Sequence, residues 1–358
     1  MKESEDRVSK AITLSIDAMG GDFAPGIVMD GVAEACARYP EVRYMLFGRE
    51  QEIQPYLDQD SKLKKISEVR HTDDVVTGEQ NVSQAIRQGR NSSMWKAIEA
   101  VKEGEAHGVV SAGNTGALMA MAKLNMRTLP GIDRPAICSV FPSQIGEVAM
   151  LDLGANAQCT VRNLVEFAVM GACFTRAMSG LDHPKVGLLN IGTEDLKGTD
   201  LLRDAAAILR ESDLDLDFHG FIEGDDIMAG TVDVVVTDGF TGNVSLKTAE
   251  GTAKLYTQFL KSAFKSSILA RLGYLLIKPV LMQVMTRTDP RRYNGALFVG
   301  LNGVAVKSHG GTDALGFANA VGVAVDMVAR DLNSSIGEQL THLNLDGAVE
   351  TLQAARTA

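Results

Sequence analysis

The chain reads as an α/β protein whose sheet is mostly parallel and carries helices on both faces. Three observations predict this. Short β-branched runs recur along the sequence, each ends in a Gly, Asp or Asn turn, and each turn opens a helical pattern. That alternation builds βαβ units. The runs are almost continuously apolar, as strands covered on both faces are.

The units follow in order. Ile12 to Ile16 runs into the turn Asp17 to Asp22, and Ile27, Val28, Gly31, Val32 and Ala35 then recur at helical spacing. Gly108 to Ser111 precedes Ala112 to Gly116, with Leu118, Met119 and Ala122 behind it. Val148 to Leu153 precedes Gly154-Ala155-Asn156, and Leu164, Phe167, Gly171 and Phe174 mark the next helix. Val186 to Ile191 leads to Gly192 to Asp195, Val232 to Val236 to the turn Thr237 to Asn243, and Gly303 to Val306 to the turn Lys307 to Asp313. No Pro- or Ser-rich linker interrupts the series. Residues 12–358 are therefore expected to form one two-lobed domain behind a flexible extension over residues 1–11.

In such a fold ligands sit beyond the carboxyl ends of the strands, where these turns gather. Helices starting there point free N–H groups and a positive dipole end into that space. Glycine, 35 of 358 residues against a usual share of about 7%, is concentrated in these turns. The six turns are expected to form an anion-binding crevice.

Other chemistries are excluded by what is missing. A net charge of −10 argues against generic nucleic-acid binding. No P-loop, dinucleotide fingerprint, G-x-S-x-G elbow or H-E-x-x-H pattern occurs. The six histidines show no ligand spacing, so no metal is expected, and only His309 sits in a Gly-rich turn. Cys36, Cys138, Cys159 and Cys173 form no C-x-x-C and fit reduced cytoplasmic thiols. The first ten residues are polar, which predicts no signal peptide. No apolar stretch is expected to reach the ~18–20 residues that span a bilayer.

Residues 251–288 stand apart. They contain no Asp or Glu, and Lys254, Lys261, Lys265, Arg271, Lys278 and Arg287 supply six positive charges. Leu255, Tyr256, Phe259, Leu260, Ala263, Phe264 and Ile268 form an apolar face between the lysines. Leu272 to Ile277 follows, then Lys278-Pro279, which predicts two helices broken at the proline. A basic amphipathic hairpin with a greasy bend suits an anionic membrane surface or a small acidic protein. It suits equally a dimer contact that buries the greasy face.

The motifs together resemble the bacterial phosphate acyltransferases, the acyl-carrier-protein:phosphate transacylases of phospholipid synthesis. The resemblance is carried by Asp17-Ala18-Met19-Gly20-Gly21-Asp22-x-Ala24-Pro25, Asn91-Ser92-Ser93-Met94 and Val110 to Met119. It continues through Gly131 to Ala136, Val186 to Gly198, Asp233 to Val244 and Lys307-x-His309-Gly310. It spans about Ile12 to Arg330. After Asn156, where the family usually has an acid and a Lys-Pro pair, this chain has Gln158-Cys159-Thr160-Val161.

The resemblance implies transfer of an acyl group from acyl carrier protein to inorganic phosphate, with no cofactor. It implies a fold like the isocitrate/isopropylmalate dehydrogenases and phosphotransacetylases, a homodimer, and cytoplasmic, peripherally membrane-associated placement. A membrane glycerol-phosphate acyltransferase is a candidate further partner. Phosphate is itself a competent nucleophile, so the absence of a Ser-His-Asp set is no obstacle. On this reading phosphate lies against Gly113, Asn114, Thr115 and Gly116, against Asp238, Gly239, Thr241, Gly242 and Asn243, and near Gly20 and Gly21. Lys197, Lys307, His309 and Asn114 are the candidates for countering charge or protonating the leaving thiolate. Asp17, Asp22, Asp238 and Asp313 are expected to orient turns. Lys261, Lys265, Arg271, Leu275, Leu276, Lys278, Arg291 and Arg292 are expected to face carrier protein and bilayer. Rival readings are a phosphotransacetylase or dehydrogenase on the same fold, and a membrane scaffold without activity.

Overall fold

A computed structural model describes residues 11–287, 289–341, 345 and 347; all but Ala11 of the expected N-terminal extension lies outside the described residues. The chain begins with β1 (Thr13–Asp17), α1 (Gly26–Arg38), β2 (Arg43–Gly48), α2 (Glu50–Gln59), α3 (Ser61–Ile66) and β3 (Ser67–His71). It continues with α4 (Val82–Gln88), α5 (Ser93–Lys102), β4 (Gly108–Ser111), α6 (Thr115–Met126), β5 (Ala136–Pro142) and β6 (Glu147–Leu151). Next come α7 (Val161–Ser179), β7 (Lys185–Leu189), α8 (Asp200–Glu211), β8 (Asp217–Ile222), α9 (Asp226–Ala229) and β9 (Val234–Val236). The last elements are α10 (Gly239–Lys265), α11 (Ile268–Arg287), β10 (Ala296–Val299), β11 (Val304–Lys307), α12 (Ala314–Ala329) and α13 (Leu332–Thr341).

The strands form an 11-stranded sheet in the order β3-β2-β1-β4-β11-β10-β5-β6-β9-β7-β8. The five strands from β3 to β11 run parallel, as do the four from β6 to β8. Between them β10 and β5 pair antiparallel with each other and with their outer neighbours. Three reversals in succession make one half of the sheet run opposite to the other. The six Gly-rich turns thus divide into two groups, one after β1, β4 and β11, the other after β6, β7 and β9.

Helix formation follows the apolar spacing. α1 buries Val28, Val32 and Ala35, and its Gly31 admits Phe317 of α12 against the backbone. α7 buries Leu164, Phe167, Gly171 and Phe174 along 19 residues. Thr160 explains part of the departure from the family pattern: it caps α7 in a reciprocal pair with Asn163.

The hairpin differs from expectation in three ways. Its first helix is the long α10, which starts at Gly239 rather than near residue 251. The break falls at Ser266-Ser267, and Pro279 lies inside α11. The serines supply the reason, since the Ser266 hydroxyl donates to the Ala263 carbonyl and the Ser267 hydroxyl accepts from the Ala270 amide. Finally, α11 has 20 residues, is long and apolar enough by length and composition to cross a membrane, and is wholly unburied. This overturns the expectation that no stretch reaches spanning length.

Phe167 has no exposed surface at the centre of α7. Phe167→Ala is expected to lower unfolding free energy by about 3–5 kcal/mol, read as a shifted denaturation midpoint at unchanged slope.

Candidate active site

The first group of turns is built on Asp17, which is wholly buried at the end of β1. Its carboxylate accepts the hydroxyls of Ser93 and Ser111, both at 2.6 Å. Ser111 in turn accepts the Gly113 amide at 3.0 Å. Burial raises the Asp17 pKa and these hydrogen bonds oppose it. A side chain at Gly20 would overlap the Asp17 carboxylate. Gly21, at φ +108°, holds a conformation L residues rarely adopt. The Asp22 amide then donates to the Gly310 carbonyl at 3.0 Å, joining the β1 and β11 turns.

Lys307 ends β11 within this group. Its ammonium donates to the Ala112 carbonyl at 3.3 Å and to the Ser308 carbonyl. Burial lowers its pKa to about 8, and the charges of Asp22 and Asp17 oppose that fall. His309 is exposed; its Nδ1 accepts the Gly311 amide at 3.1 Å, and its own amide donates to Asn294 at 2.9 Å. Asn294 also donates to Ser308 and to the Gly316 carbonyl, a tie with no local sequence signal. The Asn114 side chain is occupied in structure: it accepts the Ala117 amide at 3.0 Å and donates to the carbonyls of Gly78 and Gln80. Thr115 and Gly116 open α6, where amides lack an intrahelical acceptor.

The second group is built on Asp152, also wholly buried. It collects the amides of Ile137 (3.0 Å), Gly154 (3.1 Å), Ala155 (2.9 Å) and Asn156 (2.7 Å), and the Asn156 side chain at 3.0 Å. The Gly239 amide donates to the Asn156 carbonyl at 2.8 Å, and any side chain at Gly242 would overlap the Asp152 carbonyl. The first turn of α10 is thereby pressed against the β6 turn. Asp238 caps α10, taking both the amide and the hydroxyl of Thr241 at 2.8 Å. Asn243 donates to the Leu153 carbonyl at 3.2 Å. Lys197 is exposed in the β7–α8 turn, on the strand next to β9, and its carbonyl accepts Asn190 Nδ2 at 3.3 Å.

The structure thus brings Gly20, Gly21, Gly113 and Lys307 together, and likewise Asp238, Gly239, Thr241, Gly242 and Asn243. Lys261, Lys265, Arg271, Leu275, Leu276 and Lys278 are exposed on the hairpin. Arg292 is exposed, whereas Arg291 is held by Asp289 at 2.6 Å and Asp313 at 2.9 Å. Cys36, Cys138 and Cys173 are buried. Cys159 lies beside the second group, and burial with the nearby Asp152 charge pushes its thiol up to about 11. It stays protonated near neutrality and is a poor nucleophile. Among the described residues no group of three or more His, Cys, Asp and Glu could hold a metal ion.

Solved structures define the class. A phosphotransacetylase from Streptococcus pyogenes aligns with TM-score 0.60 at 18% identity, over 90% of this chain and 95% of that one. A 4-hydroxythreonine-4-phosphate dehydrogenase from Klebsiella pneumoniae aligns with TM-score 0.51 at 13% identity, over 89% and 100%. The chain has the fold these enzymes share. Residues 12–335 match the family described as fatty acid synthesis protein. The phosphate acyltransferase of Rhodospirillum rubrum is 60% identical over 94% of this chain and 97% of its own, and that of Paramagnetospirillum magneticum 58% over 94% and 96%. This chain belongs to the phosphate acyltransferase family and is an enzyme of that family.

Lys307 has a pH signature. Its folded pKa is about 8 against an ordinary 10.5, so between these values the unfolded chain binds the extra proton and stability rises with pH. Lys307→Met is expected to raise the melting temperature relative to the wild type below pH 8, with the gain shrinking as pH approaches 10.5. A pH-independent difference excludes this account.

Proposed function

We propose that the protein moves a long-chain fatty acyl group from acyl carrier protein to inorganic phosphate, giving an acyl phosphate for glycerolipid and phospholipid synthesis. The observation that carries this reading is α10. Its first turn is the glycine cradle Gly239–Asn243, and the same helix ends in a basic, apolar hairpin. One element thus joins the second group of turns to a surface suited to an acidic carrier and a lipid product.

The chemistry asks little of the side chains. A phosphate oxygen attacks the thioester carbonyl, the C–O bond forms, the C–S bond breaks, and the thiolate leaves with a proton. The amide-rich turns hold the phosphate and stabilise the oxyanion. Lys197 counters developing charge and supplies the proton to the thiolate. Lys307 contributes positive potential at the first group of turns. Asn114 and His309 act through the backbone geometry they fix. The cysteines take no part.

The hairpin lies on the bilayer rather than through it. α10 and α11 lead from β9 and back to β10 of one sheet, so α11 cannot cross unless α10 crosses too. α10 carries Lys247, Glu250, Lys254, Lys261 and Lys265, which makes crossing costly. Contact is peripheral and the protein cytoplasmic, with a second copy of the chain as partner.

The direct test is purified protein with long-chain acyl carrier protein and phosphate, watched for acyl phosphate. None formed with the carrier present defeats the reading. Lys197→Ala is expected to lower kcat by about 10²–10³-fold, whereas Lys307→Ala raises the KM for phosphate. Leu275→Asp with Leu276→Asp is expected to release the protein from anionic vesicles in a flotation assay and to spare activity in solution. Retained vesicle binding would remove the bend as anchor.

A further inference from the structure

The second group of turns is edged by apolar side chains that the fold leaves in solvent. Leu196 is 90% exposed, Ile191 78% and Phe240 66%. Val244, one helical turn beyond Phe240, is also exposed. These residues come from neighbouring strands. β7 and β9 are paired in parallel with Leu188 opposite Val236, so Ile191, three residues past Leu188, and Phe240, four past Val236, emerge at the same end of neighbouring strands. Leu196 directly precedes Lys197 in the chain. Phe240 directly follows Gly239, whose position against the Asp152–Asn156 turn leaves no space for a side chain.

We propose that this strip is the binding site for the fatty acyl chain, with the head group at the glycine cradle and the tail running outward along α10. The inference rests on the reading of this site as a phosphate acyltransferase centre. The occupant is set by complementarity to an amphiphile with an anionic head. Lys197 lies at the inner end, next to Leu196 in the chain, and the exposed apolar side chains of Ile191, Phe240 and Val244 stand beside the same turns. The rail has the right reach. α10 has 27 residues, about 40 Å at ~1.5 Å per residue, and beyond the exposed Lys247, Thr248 and Thr252 its exposed Leu255 and Phe259 carry apolar surface again toward the hairpin. A tail of a dozen or more carbons lies along this face without entering the sheet and points toward the hairpin. The product must then be consumed at the membrane surface by a reaction that accepts an activated acyl group.

The test uses two alkyl phosphates as stable probes, dodecyl phosphate and butyl phosphate, titrated calorimetrically into the full-length protein below the micellar range. At about fourfold per fully buried methylene, a tail half covered by the strip gives dodecyl phosphate at least a hundredfold tighter binding than butyl phosphate. Leu196→Ser with Phe240→Ser is expected to cut that preference below tenfold; both positions are exposed, and Leu196→Ser alone should give a partial loss. A preference retained in the double variant, or no preference in the wild type, overturns the proposal. Light scattering on the same samples gives a further check: a wild-type dimer that becomes a monomer in the variant assigns the strip to a subunit interface and overturns it as well. Acyl phosphate formation by the wild type tests the underlying reading separately, because turnover without a chain-length preference in binding sinks only the tail site.

Discussion

Each group of turns is organised around one fully buried carboxylate, and the cost of burying that charge dictates the local structure. A carboxylate removed from water is tolerable only when its lone pairs are filled by donors. Asp152 meets the demand with backbone amides from β5 and from its own turn, and so fixes the path on which α10 rests. Asp17 meets it with two serine hydroxyls brought from α5 and β4. In both places the glycines have no alternative, because the backbone has closed around the buried charge.

That arrangement divides labour between side chains and main chain. The aspartates, Asn114 and Asn294 are consumed in holding turns, and so are the amides of Gly113, Gly154, Ala155, Asn156, Gly239 and Thr241. The lysines supply charge and the thiols stay protonated. An enzyme whose nucleophile arrives from solution requires little more than geometry of this kind. Helix α10 extends the geometry outward, since the contact that shapes its first turn also sets the direction of the hairpin.

Much of this was legible in the sequence. The apolar runs located β1, β4, β6, β7, β9 and β11 to within about two residues, because strands covered on both faces need no polar alternation. The Asp, Gly and Asn turns were found where helix caps belong. The reversal of β5 and β10 was not legible, since an apolar strand reads the same in either direction. Nor was the Asp17–Ser93–Ser111 cluster, whose members are tens of residues apart and meet only when the sheet assembles. Pro279 misled because a proline inside an exposed helix removes one hydrogen bond without ending it, while the serine pair at 266–267 held the capping chemistry.

The burial of three of the four thiols carries a practical benefit. An enzyme that transfers acyl groups is constantly offered acylation of its own side chains, and sulfur kept protonated and out of reach declines the offer. Once the partly exposed Cys159 is replaced, the same seclusion lets a spectroscopist attach a maleimide probe to a cysteine newly placed on the hairpin and leave Cys36, Cys138 and Cys173 as they are.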